Sequence, residues 1–354
     1  MASGPVMAGP PAAVPQPLEA AGPCPVCGQT RRAAEYAGLT DRLCGTPGTW
    51  SLARCTGCGL LILDPRYSAA HIARAYENYP FNLALPLAAP APRGLARVVP
   101  AAYLAHAFGY DDGLARWQRA LALLAVPRPE GAEAAGFSVM YLPRVAGGEV
   151  LDVGCGGGAF LERMRELGWR VVGVEPDPRA VEVARTRRGL DVREGTLEEH
   201  RFADGRFDAV TSSHVIEHVH DPLAFLGECA RVTRSGGRVV VVTPNTESLG
   251  RRRLGVAWIG LDPPRHLHLF SRATLRRLAA RVGLRVLTAR SSVRNAEFSW
   301  LLARGKLAAW PEPGQRPPGG WAGRRARAFQ LAEWALTRLG IPAGEELVLV
   351  ATKP

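Results

Sequence analysis

Val150-Leu151-Asp152-Val153-Gly154-Cys155-Gly156-Gly157-Gly158 is the stretch from which the architecture of this 354-residue chain can be read. Val150 to Val153 is an apolar run of the kind that forms a buried parallel strand. It breaks into a glycine-rich turn. A helical pattern follows, with Phe160, Leu161, Met164 and Leu167 on one face. Strand, glycine turn and helix together give a Gly-x-Gly-x-Gly motif its meaning. Glycine admits positive φ and close approach of a ligand to the backbone. The helix that follows offers its N-terminal amides. Two acids sharpen the motif. Asp152 stands two residues before the first glycine, and Glu175 ends the next apolar run, Val171-Val172-Gly173-Val174-Glu175. An acid at the end of the second strand accepts hydrogen bonds from ribose hydroxyls.

A dinucleotide site also uses such an acid, but its fingerprint is Gly-x-Gly-x-x-Gly, and here the third glycine comes one residue early. Asp152-Val153-Gly154-Cys155-Gly156-Gly157-Gly158 instead resembles the signature of class I S-adenosylmethionine-dependent methyltransferases. The resemblance implies an α/β fold of the Rossmann-like type, with a seven-stranded sheet and helices on both faces. It implies a site in which Asp152, Gly154, Cys155, Gly156 and Gly158 surround the methionine moiety. Glu175, followed by Pro176, holds the ribose. Thr196 and Leu197 border the adenine, Thr196 standing where the family commonly has an acid. Ser213-His214-Val215-Ile216-Glu217-His218-Val219-His220-Asp221-Pro222 resembles the His-Val-Ile-Glu-His-Val-x-Asp-Pro stretch of many small-molecule methyltransferases. Ser213 and His214 then line the methionine end of the cofactor. Some quinone O-methyltransferases resembling this segment hold a divalent cation there, which raises the same question for Glu217 and His218.

Upstream, Cys24-Pro25-Val26-Cys27-Gly28 and Cys55-Thr56-Gly57-Cys58-Gly59 are two Cys-x-x-Cys-Gly knuckles with 27 residues between Cys27 and Cys55. Each knuckle turns two thiolates to one side, so Cys24, Cys27, Cys55 and Cys58 can complete a tetrahedral zinc shell. Such a closed four-thiolate site is structural rather than catalytic. Cys44 is not needed as a ligand.

Asp262-Pro263-Pro264-Arg265-His266-Leu267-His268-Leu269-Phe270-Ser271 resembles Tyr-His-Glu-His-Leu-Ser-Tyr-Phe-Ser. That stretch belongs to methyltransferases with an N-terminal zinc module, including sugar C-methyltransferases. The second His of the pattern is the candidate base, and His266 aligns with it. Pro263, Pro264 and Arg265 replace the Tyr, His and Glu before it, so the resemblance does not carry sugar C-methylation over intact. His214 is the second candidate base.

The chain divides into a disordered leader (1–23), a zinc-ribbon module (24–79), a linker and helical region (80–136) and a methyltransferase domain (137–354). The last carries a helical insertion at about 292–344. Within it, Phe298 to Leu302 mark one amphipathic helix, and Phe329, Ala332, Leu336 and Leu339 at helical spacing suggest a second. Arg324, Arg325 and Arg327 raise the possibility of an interfacial helix on a membrane. The segment 137–145 is expected to cap the cofactor site as a helix.

Composition bounds the rest. The net charge of +12 rests almost wholly on arginine, since only Lys306 and Lys353 are lysines. The arginines are scattered along an Ala-, Gly- and Pro-rich chain, so nucleic acid is not the expected partner. No apolar run reaches the length of a membrane span, and the start lacks the pattern of a signal peptide. A cytoplasmic protein is expected, with the insertion read either as a substrate lid packed on the core or as a helix on a membrane surface. The implied reaction is methyl transfer from S-adenosylmethionine to a small-molecule or glycan-precursor acceptor. The alternatives are an RNA methyltransferase that grips its substrate with the ribbon, and a non-catalytic S-adenosylmethionine-binding module.

Overall fold

The computed structural model describes residues 18–77, 95–110, 113, 115–120, 129–306 and 319–354. Most of the expected leader (1–17) and much of the expected linker lie outside the described residues, as does most of the Pro/Gly-rich stretch in the insertion.

Five strands come first: β1 (Leu18–Glu19), β2 (Arg32–Leu39), β3 (Trp50–Cys55), β4 (Leu61–Leu63) and β5 (Arg66–Tyr67). Helices Leu95–Phe108, Arg116–Ala120 and Pro129–Ser138 lead into the core. The core strands are β6 (Glu149–Val153), β7 (Arg170–Glu175), β8 (Val192–Glu194), β9 (Phe207–Ser213) and β10 (Thr233–Pro244). Then come a short β11 (His268–Leu269), β12 (Arg285–Ser292) and β13 (Glu346–Thr352).

Seven of these form one sheet in the order β12-β13-β10-β9-β6-β7-β8. β10, β9, β6, β7 and β8 run parallel, and β13 is antiparallel to both β10 and β12. The central strands are apolar on both faces because helices cover both. Leu151, Val153, Val210, Val239 and Val241 pack on Phe225, Leu226, Leu275 and Leu278. Val150, Ala209, Val240 and Val242 pack on the opposite side against Leu142, Met164 and Trp169. Two of the helix starts are capped by side chains. Asp221 accepts from the amides of Leu223 and Ala224, and Ser271 forms a capping box with Thr274.

The cysteine module is less separate than its motif suggests. β11 comes from the loop after β10, yet it pairs antiparallel with β4, giving the four-stranded sheet β11-β4-β3-β2. Trp50, Leu52, Leu61 and Leu63 share one core with Trp258, Leu261, Leu267 and Leu269. Cys24, Val26, Cys55 and Leu60 belong to the main core itself.

Two expectations are corrected. Leu18 and Glu19, placed in a disordered leader, pair with β5, and the amide of Ala21 donates to Asp64 at 3.0 Å. The segment 137–145 is not a helix. The helix ends at Ser138, and Met140 and Tyr141 turn the chain with positive φ, which no glycine or asparagine announces. The helix suggested in the insertion is present as Gly320–Arg338; it buries Ala326, Gln330 and Glu333, half-buries Phe329 and Leu336, and leaves Ala332 and Leu339 exposed.

Candidate functional site

The glycine turn after β6 has φ of 76°, 52° and 80° at Gly154, Gly156 and Gly158. The three glycines have different physical reasons. A Cβ on Gly154 would collide with Val215, and one on Gly158 with Leu190 of the next βα unit. A Cβ on Gly156 would meet nothing within 4 Å, so this position opens onto free space. The Cys155 side chain turns inward to Leu161, Val181 and Val192, which leaves only its backbone on the turn.

Glu175 closes the turn from β7. Its carboxylate accepts from the amides of Gly156 at 2.8 Å and Asp177 at 3.0 Å. Burial raises its pKa, against the pull of those two amides. Asp152 lies deeper. It accepts from Thr211 Oγ1 at 2.7 Å, and burial pushes its pKa up to about 7. Pro176 is exposed beside Glu175. Thr196 is exposed as well, and its amide donates to Glu199 Oε2 at 2.6 Å. An acid thus reaches the turn from three residues on, and the Glu198-Glu199 pair was the signal for it. The Leu197 side chain is core.

At the end of β9, Ser213 is half-buried and His214 takes a φ of 56°. His214 Nδ1 lies 3.1 Å from Glu217 Oε1, and Nε2 lies 3.0 Å from Glu346 Oε1. Burial pulls the His214 pKa down, but the two carboxylates outweigh it and hold it up at about 9. Glu217 is held down at about 2, burial being overcome chiefly by the bond from His214. At neutral pH both ring nitrogens therefore donate, and no lone pair is left to receive a proton. The expectation of His214 as the second base is corrected on this ground. Glu346, which also accepts from Arg294 and Asn295, was not read from the sequence. It sits across the insertion, 132 residues from His214.

This clasp has a pH signature. A histidine whose folded pKa lies above its unfolded value stabilises fully below the unfolded pKa and loses that contribution as pH rises through the folded one. Melting temperature should fall as pH rises from 6.5 to about 9 in the native protein. The His214→Gln variant should show a shallower fall over the same window. Parallel slopes in thermal melts would detach His214 from stability.

The loop between β10 and β11 brings His266 to the same place. Its ring stands 4.7 Å from that of His218, edge to face. His266 Nδ1 is 2.8 Å from Gly260 O. A carbonyl can only accept, so Nδ1 carries the proton and Nε2 keeps a lone pair when the ring is neutral. Nε2 lies 3.8 Å from Asp262 Oδ2. His218 Nδ1 is bonded to Arg265 O at 3.1 Å and to Tyr76 Oη at 2.9 Å, so the N-terminal module contributes Tyr76 to the site. Burial and the neighbouring His266 lower the His218 pKa to about 4. One ligand atom each from Glu217, His218 and His266 lie within 4.8 Å of one another.

Arg265 anchors this loop. It is fully buried and reaches Asp41 at 2.7 and 2.8 Å and Asp262 at 2.6 and 2.9 Å. Asp41 also accepts from the amides of Leu43, Cys44 and Thr46. Burial opposes its ionisation, but Arg265 and the amides hold it well below the usual carboxylate range.

The four cysteines converge. Cys24 Sγ lies 3.5 Å from Cys58 Sγ and Cys27 Sγ 3.4 Å from Cys55 Sγ, and all four fall within 4.8 Å of one another. A tetrahedral zinc shell with bonds of 2.3 Å sets sulfurs about 3.8 Å apart, far beyond a disulfide bond of about 2 Å. The knuckles thus fit a four-thiolate metal shell and not a pair of disulfides.

A family model described as "Methyltransferase domain" matches residues 115–289. Over 130 residues the chain is 40% identical to a ubiquinone biosynthesis O-methyltransferase of Cereibacter sphaeroides, covering 35% of this chain and 53% of that protein. It therefore spans about half the length of that relative. Over 176 residues it is 34% identical to a protein named "Probable S-adenosylmethionine-dependent methyltransferase" from Mycolicibacterium smegmatis, covering 44% of this chain and 68% of that one. Among solved structures, a geranyl diphosphate C-methyltransferase of Streptomyces coelicolor A3(2) matches with a TM-score of 0.45 at 18% identity, covering 69% of this chain and 86% of that one.

Proposed function

Since this chain belongs to the S-adenosylmethionine-dependent methyltransferases, we propose that it methylates a small-molecule or glycan-precursor acceptor, with His266 as the general base. The observation that carries the base assignment is the bond from His266 Nδ1 to Gly260 O, which leaves Nε2 as the proton acceptor. The donor supplies a methyl carbon made electrophilic by its sulfonium. Glu175 is the ribose acceptor in this reading, exchanging its present amide contacts in part for hydroxyls. Asp152, the turn backbone from Gly154 through Cys155 and Gly156 to Gly158, Ser213 and His214 form the methionine end. Pro176, Thr196 and Leu197 flank the adenine.

The protein's share of catalysis is alignment and proton removal. The acceptor's O–H or C–H bond gives its proton to His266 Nε2 as the acceptor atom bonds to the methyl carbon. The bound donor would supply the methyl group, its sulfur keeping the electron pair of the bond that is given up. The His214 imidazolium, pinned between Glu217 and Glu346, supports the methionine end without taking part in proton transfer.

A divalent cation at Glu217 and His218 is not adopted. Both Glu217 oxygens are already engaged, one by His214 and one by Thr243 Oγ1 at 2.8 Å. Zinc is assigned to Cys24, Cys27, Cys55 and Cys58 as a structural ion, on their mutual distances. The RNA reading is not adopted either, because the ribbon spends its apolar surface on the methyltransferase core.

Calorimetry tests the donor site. The native protein should bind S-adenosylmethionine and show no measurable affinity for NAD. Glu175→Ala should weaken donor binding by roughly tenfold or more, the loss of charge-assisted hydrogen bonds. Equal affinity in the variant would remove Glu175 from the site.

A further inference from the structure

The helix Gly320–Arg338 half-buries Phe329, Trp334 and Leu336 and leaves most of the rest of its apolar surface outside. Its buried positions are Ala326, Gln330 and Glu333. Its outward line is Ala328, Ala332, Ala335 and Leu339, all exposed and at the i, i+4, i+7, i+11 spacing of one helical face. Trp321 continues that line one period earlier, and Leu331 stands beside it. Trp321 is 73% exposed, Leu331 46% and Leu339 77%. Arg324, Arg325 and Arg338 lie exposed on or beside the same outward side, and Arg327, on its flank, reaches Glu297 Oε1 of the neighbouring helix at 3.7 Å. The helix's single acid, Glu333, faces inward.

A basic groove adjoins this face. A cavity of about 460 Å³ opens between the helix and its neighbour Ala296–Ala303, lined by Trp300, Arg304, Lys306, Arg325, Ala328 and Phe329. Three of the six are cations and none is an acid. Arg304 stands 5.9 Å above the Trp300 ring, and Arg325 5.9 Å above that of Trp321.

We propose that this face docks on an anionic phospholipid bilayer, the helix lying flat with its apolar line among the acyl chains and lipid phosphates in the basic groove. The helix has 19 residues, and no described helix is long and apolar enough to cross a membrane. An apolar line flanked by arginines, with aromatic residues at its edge, is the composition of an interfacial helix. Cations near an anionic surface are attracted there, and anionic headgroups satisfy them. A second copy of the chain fits less well. A two-fold contact through this face would bring like-charged arginine rows together with no outward acid to meet them. Nucleic acid would use the cations but leave the apolar line in water.

The test is co-sedimentation of the full chain with two kinds of vesicle. One is phosphatidylcholine alone; the other contains about a third phosphatidylglycerol. The native chain should partition to the anionic vesicles at least about tenfold more strongly than to the neutral ones, and less so at high salt. Leu331→Glu with Ala335→Glu should lower that partition at least about tenfold, as should Arg304→Glu with Arg325→Glu. All four positions are exposed, and unchanged melts and metal content would show the variants folded. Four results would overturn the proposal. They are equal partition to both vesicles, no partition to either, full binding by the Leu331/Ala335 variant, and a dimer in sedimentation that the same variant converts to monomer. Tight RNA binding insensitive to the Leu331/Ala335 variant, without vesicle binding, would reassign the groove to nucleic acid and overturn it equally.

Discussion

Replacing His266 with Gln should lower turnover by roughly a hundredfold or more while leaving donor affinity nearly intact. The site gives the reason. Nδ1 is committed to Gly260 O, and Nε2 is the atom left to accept. Gln can keep the packing against His218 and can donate to the same carbonyl, but it offers no basic nitrogen. A His that merely props the loop would make a different prediction, with stability lost and rate kept in the folded fraction. Thermal melts beside single-turnover rates separate the two. A folded variant with a near-native rate would sink the base assignment. His214 could not inherit the role, because both its nitrogens are held by carboxylates. The acceptor would then have to be an anion or a neutral amine that needs no base.

The second large effect is expected at Arg265. Arg265→Met leaves Asp41 and Asp262 buried without their shared cation. Removing one partner of a buried ion pair costs about 3–5 kcal/mol, because an uncompensated charge stays behind. Two carboxylates are stranded here, so the upper part of that range is the expectation. A fall in melting temperature of roughly 5–10 °C should follow. Arg265→Lys should fall between, since an ammonium keeps the charge but cannot engage both carboxylates bidentately. Activity should fall further than folding does. Arg265 ties Asp262 and the backbone next to His266 to Asp41 of the cysteine module, and β11 adds to that module's sheet. If the four cysteines hold the zinc proposed for them, a strong chelator should accordingly reduce turnover, because the cysteine module carries Asp41 and the edge that β11 joins. A metal-free protein that keeps its native rate would show the module and the His266 loop to be independent.

How far the sequence reached differs from element to element. The sheet was legible because Val150–Val153 and Val239–Val242 are short apolar runs buried on both faces, a pattern local composition alone produces. The glycine turn and Glu175 were legible because positive φ and a strand-end acid are local requirements. The cysteine knuckles were legible by spacing, since thiolate geometry leaves little choice.

What the tertiary structure decided involves partners distant in the chain. Asp41 and Arg265 are 224 residues apart, and neither has a local signature, since a buried ion pair looks from either side like an ordinary surface charge. Glu346 removes His214 from the list of bases from across the insertion. β11 is two residues long, too short for any period, and exists because β4 offers it an edge. The spacing of Phe329, Ala332, Leu336 and Leu339 marked a helix but not its buried side, which holds Ala326, Gln330 and Glu333. The sequence by itself determined the sheet, the cofactor turn and the cysteine shell, each set by local backbone or ligand geometry. Only the fold decided which histidine keeps a free nitrogen and which side of the insertion meets solvent, because both follow from charges and edges that the chain brings together only once it is folded.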